Sequence, residues 1–166
     1  MRSYISVEQY QESWNTLKRA ESFASVDEYL KVSTYNNMAC LYRKLNRPKS
    51  ALVFLEQALN IEYKHLTAVQ KDADFTMMLV KENPADTHLN LCAVLSLIGK
   101  HEVAYLHALK ALTFLQAEIL ERKEANMTDS DLRPFQSRCA VLCIAYHNLA
   151  AELEFMKQVF RFLLSK

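Results

Sequence analysis

The chain of 166 residues has the length of a single domain and can bury about 70% of the surface that its unfolded form exposes. Its net charge is +1 with both signs mixed along the chain, which argues against a nucleic-acid partner or an acidic membrane surface. One Gly and three Pro leave few positions for the tight turns of β-hairpins, so the predicted class is all-α.

We expect no segment for export or for crossing a membrane. Its first residues lack an apolar block of signal-peptide length, and the apolar runs are interrupted well before the roughly 20 residues that a bilayer needs. We therefore expect a cytoplasmic protein. Cys40, Cys92, Cys139 and Cys143 lie in apolar helical patterns without a C-x-x-C pair, so we expect four small buried hydrophobes.

Residues 7–24 are predicted to form a leading amphipathic helix. Its apolar positions at helical spacing are Val7, Tyr10, Trp14, Leu17 and Ala24. Ser25 and Asp27 are candidate N-caps of the second helix. We expect that helix to run to Asn46, a residue that tolerates the left-handed conformation of a C-cap.

Pro48 opens the third predicted helix, where its missing N–H costs nothing. No breaker follows before residues 83–84, so this is one helix of about thirty residues or two helices joined near Asp72. The helix that begins after Pro84 should stop at Gly99, the only Gly of the chain. Another long helix is predicted after it.

One eight-residue phrase recurs as YNNMACLY (35–42), HLNLCAVL (88–95) and YHNLAAEL (146–153), each with a ring, an Asn, a large apolar residue and a small one in the same order. The aligned sets are Tyr35, Met38, Ala39 and Tyr42; His88, Leu91, Cys92 and Leu95; and Tyr146, Leu149, Ala150 and Leu153. Nine residues after each set stand Ala51, Ala104 and, out of pattern, Phe162. Leu55 and Ala58 pair with Ala108 and Ala111.

This pattern resembles the tetratricopeptide repeat family over residues 32–65, 85–118 and 143–166. The resemblance implies a right-handed α-solenoid of antiparallel helical hairpins in a single domain, with about 2.5 repeats. The implied bounds are 7–24 for the leading helix, about 27–82 and 85–126 for two repeats, and about 131–166 for a partial third repeat.

The repeats are longer than those of the family. Spacings of 53 and 58 residues replace the usual repeat of about 34, so each unit carries about twenty extra residues of helical pattern. Extended repeats of this kind resemble those of cytoskeletal, motor-adaptor and ciliary proteins.

The Asn of each phrase is the candidate binding residue. In a tetratricopeptide hairpin, the residue before the large-small pair faces the concave groove, and here it is Asn37, Asn90 or Asn148. The resemblance implies a peptide track that tolerates many sequences, because a side-chain amide pairs with the N–H and C=O of an extended peptide. The alternatives are that each Asn bonds a neighbouring hairpin or stays solvated. The groove would also hold Asn36, Arg43, Lys44 and His147, with a basic end near repeat 1.

Catalytic and metal motifs fail on geometry. His101-Glu102 begins like a zinc-protease motif, but Tyr105 stands where the second His belongs. His107 comes too late for the same helical face, so we expect His101 and His107 to be solvated histidines at a helix start. With one Gly, no phosphate-binding loop is available, and we expect neither an enzyme nor a cofactor.

Cys139, Cys143 and His147 share one stripe of the last helix. Three ligands that span about 12 Å along a straight helix cannot converge on one ion, so we expect core packing and no metal.

The end of the chain is unusually apolar. A last long helix follows the polar loop 127–131, with Pro134 in its first turn, and a short helix over 159–166 follows it. That short helix offers an apolar partner interface made of Val159, Phe160, Leu163 and Leu164. The leading hypothesis is a protein-binding scaffold. A homo-oligomer or a larger assembly is left open as its state of association. The alternative is a structural subunit of a cytoskeletal or ciliary assembly, docked through this end.

Overall fold

The computed structural model describes residues 7–23, 27–69, 83–124 and 129–164. Within these ranges the chain forms helices and no strand, as the sequence predicts. The helices are α1 (Val7–Phe23), α2 (Glu28–Lys44), α3 (Pro48–Val69), α4 (Ala85–Leu97), α5 (His101–Glu124) and α6 (Asp129–Leu164). Each helix packs against the next one along the chain, and α4 also contacts α2 and α6.

Two turns of the same form connect α2 to α3 and α4 to α5. Asn46, at φ 57°, and Gly99, at φ 78°, take the left-handed conformation, as the sequence predicts for both residues. In both turns the next backbone N–H bonds the carbonyl five residues back, at 2.9 Å. Asp27 caps α2, as predicted, because its carboxylate accepts hydrogen bonds from two backbone N–H groups of the first turn.

Small side chains occupy the helix crossings. The buried alanines of the first two hairpins include Ala39, Ala51, Ala58, Ala104, Ala108 and Ala111, each at most 1% exposed. Side chains of this size let helix axes approach to the short end of the usual range of about 8–10 Å. Leu55, Leu91 and Leu95 form one cluster with four of these alanines, Ala39, Ala51, Ala104 and Ala108. The predicted pairing of small and large residues in the first two copies is therefore found in the core.

The leading helix α1 docks through one aromatic residue. The Trp14 ring meets Tyr42 edge-on at 5.4 Å between centroids, and Tyr42 stacks on Phe54 of α3, also at 5.4 Å. The predicted apolar face of α1 therefore packs on the first hairpin. The predicted end at Ala24 lies outside the described residues, as does Ser25.

The third predicted helix ends at Val69, and residues 70–82 lie outside the described part of the chain. The structure therefore leaves open the choice between one helix and two joined near Asp72. The next helix starts as predicted at the buried Pro84, and the Asn83 side chain accepts a hydrogen bond from the N–H of Ala85 at 2.9 Å. Asn83 thus serves as the cap that Pro84 cannot provide.

The last helix differs from the prediction. α6 runs without interruption from Asp129 to Leu164, so the expected short helix over 159–166 is not a separate element, and Pro134 is the sixth residue rather than part of the first turn. Met156, Lys157 and Gln158 stand where the first two copies have their turns, and none of the three favours positive φ. No residue at this point stops the helix.

The third copy of the phrase is buried on a different side. Ala145 is fully buried against α4 and α5, whereas Tyr146 is 48% exposed, Leu153 is 47% exposed and Ala150 is exposed. The prediction that all three copies pack alike is wrong for the third. The physical reason is that α6 does not turn back, so its phrase residues lack the second helix of a hairpin.

The expectation that all four cysteines are buried is wrong. Cys92 is buried in the core, Cys40 and Cys139 are partly buried, and Cys143 is exposed. Burial, and then the charge of Glu152, raise the pKa of the Cys92 thiol to about 11, so this thiol stays protonated.

An ion cluster around the buried Glu118 ties α6 to the second hairpin. The guanidinium of Arg138 donates to both carboxylate oxygens of Glu118 on α5, the shortest bond being 2.8 Å, and to Asp86 on α4 at 3.0 Å. Glu118 is buried and also accepts from Asn83 and Arg122. Burial alone would lower the pKa of Arg138, but the hydrogen bonds and charges of Glu118 and Asp86 outweigh it and raise the pKa. The cluster fixes the register of α6.

A second buried polar group lies inside the second hairpin. His88 is fully buried and stacks on Phe114. Its Nδ1 lies 2.8 Å from Nδ1 of His107, and its Nε2 lies 3.2 Å from the Tyr63 hydroxyl. His88 thus occupies the ring position of the repeat as a neutral aromatic. Burial, then the charges of His107 and Lys110, lower its pKa to about 3.

The depressed pKa of His88 predicts an acid-sensitive fold. Below the unfolded pKa of about 6.5 the unfolded chain binds a proton that the folded chain does not. The contribution of neutral His88 to the free energy of unfolding is therefore fully present above about pH 6.5 and is lost as the pH falls toward 3. We expect the free energy of unfolding, from urea denaturation, to fall by about 2 kcal/mol between pH 8 and pH 5.

His88→Phe should remove most of this pH dependence, and the lowered pKa of His107 should leave a smaller remainder. His147→Phe is the matched control because His147 is exposed, and it should keep the full slope. An equal slope in all three proteins would show that His88 is not the group responsible.

Candidate functional site

A polar groove opens where α2, α3 and the start of α4 meet. Its cavity has a volume of about 440 Å³. The lining residues are Tyr29, Val32, Ser33, Asn36, Asn37, Glu62, His65, Asn83, Asp86 and Asn90. A cavity of this size, dominated by amide, hydroxyl and carboxylate groups, suits a polar segment of chain rather than an apolar small molecule.

A chain of hydrogen bonds between hairpins lies along the groove. The Asn90 amide donates to Oδ1 of Asn36 at 2.7 Å, and Asn36 donates to the Thr87 hydroxyl at 2.7 Å. Thr87 in turn donates to Glu62 at 2.9 Å, and the Cys40 thiol lies 3.6 Å from Oδ1 of Asn90. Asn36 and Asn90 therefore brace α2 against α4, which is one of the two alternatives predicted for such residues.

Asn37 is placed differently from its two counterparts. It is exposed and lines the groove, and its side chain makes no hydrogen bond to a described residue. Asn90 also lines the groove but its amide is engaged with Asn36. Asn148 lies partly buried on α6 and is not among the lining residues. The structure thus brings two of the three predicted Asn residues into one groove.

The other predicted groove residues lie apart from the cavity. Arg43 and Lys44 are exposed at the end of α2, and His147 is exposed on α6; none of the three lines the groove. The lining includes the carboxylates of Glu62 and Asp86 but no Lys or Arg. The expected basic end is therefore not a property of this cavity.

Seven of the ten lining residues were missed because they lie outside the repeated phrase, and His65, Asn83 and Ser33 are examples. His65 stands on α3 and hydrogen-bonds Glu28, and that bond is the main cause of the lowered pKa of Glu28. Asn83 precedes α4, and Ser33 lies one turn before Asn37. The only signal available in the sequence was the Asn83-Pro84 pair, which marks a helix start but gives no direction to the side chain.

A second cavity, of about 780 Å³ and mainly apolar, lies between the start of α5 and the end of α6. Its lining residues are Gly99, Lys100, His101, Glu102, Val103, Leu153, Phe155, Met156, Lys157, Val159 and Phe160. Val159 and Phe160, predicted as interface residues, belong to it. Leu164 is 72% exposed beyond it, and the side chain of Leu163 lies outside the described residues.

The histidines predicted to be solvated are engaged instead. His101 stacks on Phe155 with ring centroids 3.5 Å apart, and its Nδ1 lies 2.7 Å from the buried carboxylate of Glu152. His107 contacts His88 inside the second hairpin. Both partners lie on other helices and far from the histidine in sequence, so the spacing of residues within one helix did not reveal them.

The predicted packing of the Cys139, Cys143 and His147 stripe is also wrong in part. Cys143 and His147 are exposed, and only Cys139 is partly buried. Among the described residues no group of three or more His, Cys, Asp or Glu side chains is arranged to hold a metal ion.

Two helical segments are long and apolar enough, by length and composition, to cross a membrane. They are His101–Lys123 and Asp131–Phe162, each with a mean hydropathy of 1.2 over its best 18-residue window. One third of the first window is buried inside the protein, against 11% of the second. The second segment is thus mostly surface, and α6 carries the larger accessible apolar area.

No protein-family model, curated protein or solved structure matches the chain. The tetratricopeptide resemblance therefore stays a prediction that rests on the residues of the repeat and on the packing of the two hairpins.

The bracing role of Asn90 predicts unequal effects of two Asn substitutions. Asn90→Ala leaves the Asn36 carbonyl oxygen and the Cys40 thiol without their partner, so it should lower the free energy of unfolding by about 1 kcal/mol. Asn37→Ala should change it by less than about 0.5 kcal/mol because Asn37 is exposed. Urea denaturation followed by circular dichroism measures both, and equal losses would contradict the assignment.

Proposed function

We propose that the chain is a non-enzymatic protein–protein interaction scaffold that binds a peptide segment or helix of another protein in the polar groove. The observation that carries this proposal is the exposed amide of Asn37, which stands beside the braced Asn36–Asn90 pair. A free amide on a fixed platform can pair with both the N–H and the C=O of a bound backbone. Because the Asn36–Asn90 pair is already fixed, binding restricts few further side chains.

The two hairpins support a repeat architecture of the tetratricopeptide type. The left-handed turn residues Asn46 and Gly99 are 53 residues apart, the same offset that separates Ala51 from Ala104. Equal turns and equal buried positions at one offset are expected when successive hairpins stack alike. On this proposal α2–α3 and α4–α5 are consecutive units of a right-handed α-solenoid, and α1 and α6 flank them.

The charge of the groove indicates the chemistry of the segment. Glu62 and Asp86 are the carboxylates of the lining, and Asp86 is paired with Arg138, which does not line the groove, at 3.0 Å. A neutral or basic segment would meet no repulsion, whereas an acidic one would. We therefore propose a partner segment with a free backbone and few Asp or Glu residues.

The proposal predicts a specific loss on removal of Asn37. Peptides selected from a random library on the immobilised protein give a ligand whose Kd is measured by fluorescence anisotropy. Asn37→Ala should raise that Kd about tenfold, since one well-placed amide pair contributes about 1.4 kcal/mol. Asn60→Ala is the matched control, an exposed Asn outside the groove lining, and should leave the Kd unchanged.

Asn148→Ala should also bind normally, because Asn148 does not line the groove. The selected peptides should be poor in Asp and Glu. Wild-type affinity in Asn37→Ala, or a selection dominated by acidic peptides, would exclude the groove as the binding site.

The exposed end of α6 favours a second candidate function, that of a structural subunit docked in a cytoskeletal or ciliary assembly. Phe160 is 62% exposed and Leu164 is 72% exposed beside the apolar cavity. Side chains of this kind mark contact surfaces when they are contiguous.

Co-sedimentation with assembled microtubules tests this candidate. The pelleted fraction of the double variant Phe160→Asp with Leu164→Asp should be at least ten times lower than that of the wild type, because docking would bury two carboxylates without partners. Phe23→Asp, at an equally exposed Phe on α1, is the control and should pellet like the wild type. Equal pelleting of all three proteins, or none of the wild type, would count against microtubule docking through this end.

A further inference from the structure

One side of α6, here called the open face, is apolar over nearly the whole helix. Its apolar members belong to a series with alternating intervals of three and four residues, in which Gln136 is polar and Lys157 is charged. They are Leu132, Cys139, Cys143, Tyr146, Ala150, Leu153, Phe160 and Leu164. All are exposed except Cys139, which is partly buried. A run of this spacing over four heptads is the pattern of a helix that packs against another helix.

The open face carries the same phrase that is covered in the first two hairpins. In α2, Tyr35 contacts Phe54 of α3, and in α4, His88 contacts Phe114 of α5. In both cases the covering helix follows a three-residue turn and so runs antiparallel. The aligned residue of α6, Tyr146, keeps only an edge contact, in which its hydroxyl accepts a hydrogen bond from Gln116 at 2.8 Å.

We propose that the open face is covered by α6 of a second copy of the chain, running antiparallel about a two-fold axis near residue 148. Around that point the open face is self-complementary in size. Tyr146 of one copy lies opposite Ala150 of the other, and Cys143 lies opposite Leu153. In these two central pairs a large side chain meets a small one, as close helix packing requires, and at the ends Leu132 of one copy lies opposite Leu164 of the other. A parallel pairing would instead place Tyr146 against Tyr146 and Ala150 against Ala150.

The area that two copies of α6 would bury, and the space around α6, also allow the two-fold arrangement. Leu132 and Leu164 are separated by about 48 Å of helix, so a contact strip as wide as one helix, about 11 Å, buries on the order of 500 Å² per copy. The total of about 1,000 Å² reaches the lower limit for a specific interface. Among the residues that hold α6 to its own domain, Arg138, Ala145 and Glu152 lie about 100° or more around the helix from the centre of the open face. Leu142 and Leu149, which also pack on the core, lie about 50–70° from that centre, so a second helix has room on the side of the open face away from them.

The mass of the purified chain in solution tests the dimer. Sedimentation equilibrium should give twice the monomer mass of 19.2 kDa at micromolar concentration. Ala150→Glu should raise the dimer Kd about 100-fold, because it buries two carboxylates close to the two-fold axis. Ala150 is exposed and Glu is a good helix former, so the variant should fold, which its circular dichroism checks.

Ala151→Glu is the matched control. Ala151 is the neighbouring exposed residue, about 100° further around the helix and off the open face, so this variant should stay dimeric.

A cysteine pair tests the orientation. Leu153→Cys in the antiparallel dimer places the new thiol opposite Cys143 of the other copy, within the Cα separation of about 7 Å that a disulfide allows. In a parallel dimer the same two positions are about 15 Å apart. Diamide, as the oxidant, should cross-link Leu153→Cys into a covalent dimer but not the wild type. The double variant Cys143→Ser with Leu153→Cys should not cross-link.

Three results would overturn the proposal. The first is a wild-type protein that is monomeric at 100 µM, and the second is an Ala150→Glu variant that stays dimeric. The third is flotation of the wild type, but not Ala150→Glu, with phosphatidylcholine vesicles, which would assign the face to a lipid surface. The polar groove contributes no residue to the open face, so these results are independent of peptide binding by Asn37.

Discussion

The close approach of helices at small side chains is the constraint on which the structure depends. Ala51 and Ala104 are fully buried at equivalent crossings, and a larger side chain at either would force the hairpin apart. The crossings fix where Leu55 and Leu91 can pack, and these leucines fix how one hairpin sits on the next. The shape of the groove, the position of the buried His88 and the docking of α6 all depend on this spacing.

Polar groups then set the register of what the small residues bring together. Asn90 reaches across to Asn36, and Arg138 reaches from α6 to Glu118. Because a buried polar group without a partner costs about 1–3 kcal/mol, each bond penalises any other stacking of the hairpins. Two Asn residues at equivalent positions of the phrase therefore differ in their contacts: the side chain of Asn90 is bonded across the helices, and that of Asn37 is exposed.

Features that depend on neighbours in the chain could be predicted, and features that depend on distant contacts could not. The turns at Asn46 and Gly99 follow from backbone preference alone. The engagement of His101 with Glu152 and of His107 with His88 joins separate helices, so periodicity could not reveal it. The groove was predicted at Asn37 and Asn90, but its wall at His65 comes from α3, outside the phrase that drew attention to the groove.

The third phrase shows what such a pattern encodes. Tyr146, Ala150 and Leu153 specify a surface that fits an antiparallel helix, and they do so whether or not the chain provides one. In α2 and α4 the partner follows after three residues, so little entropy is lost in bringing it near. In α6 the sequence at 156–158 continues the helix, and a partner must come from outside at the cost of translational freedom. Packing that is permanent within a hairpin becomes concentration-dependent here, which makes α6 the part of the fold suited to reversible assembly.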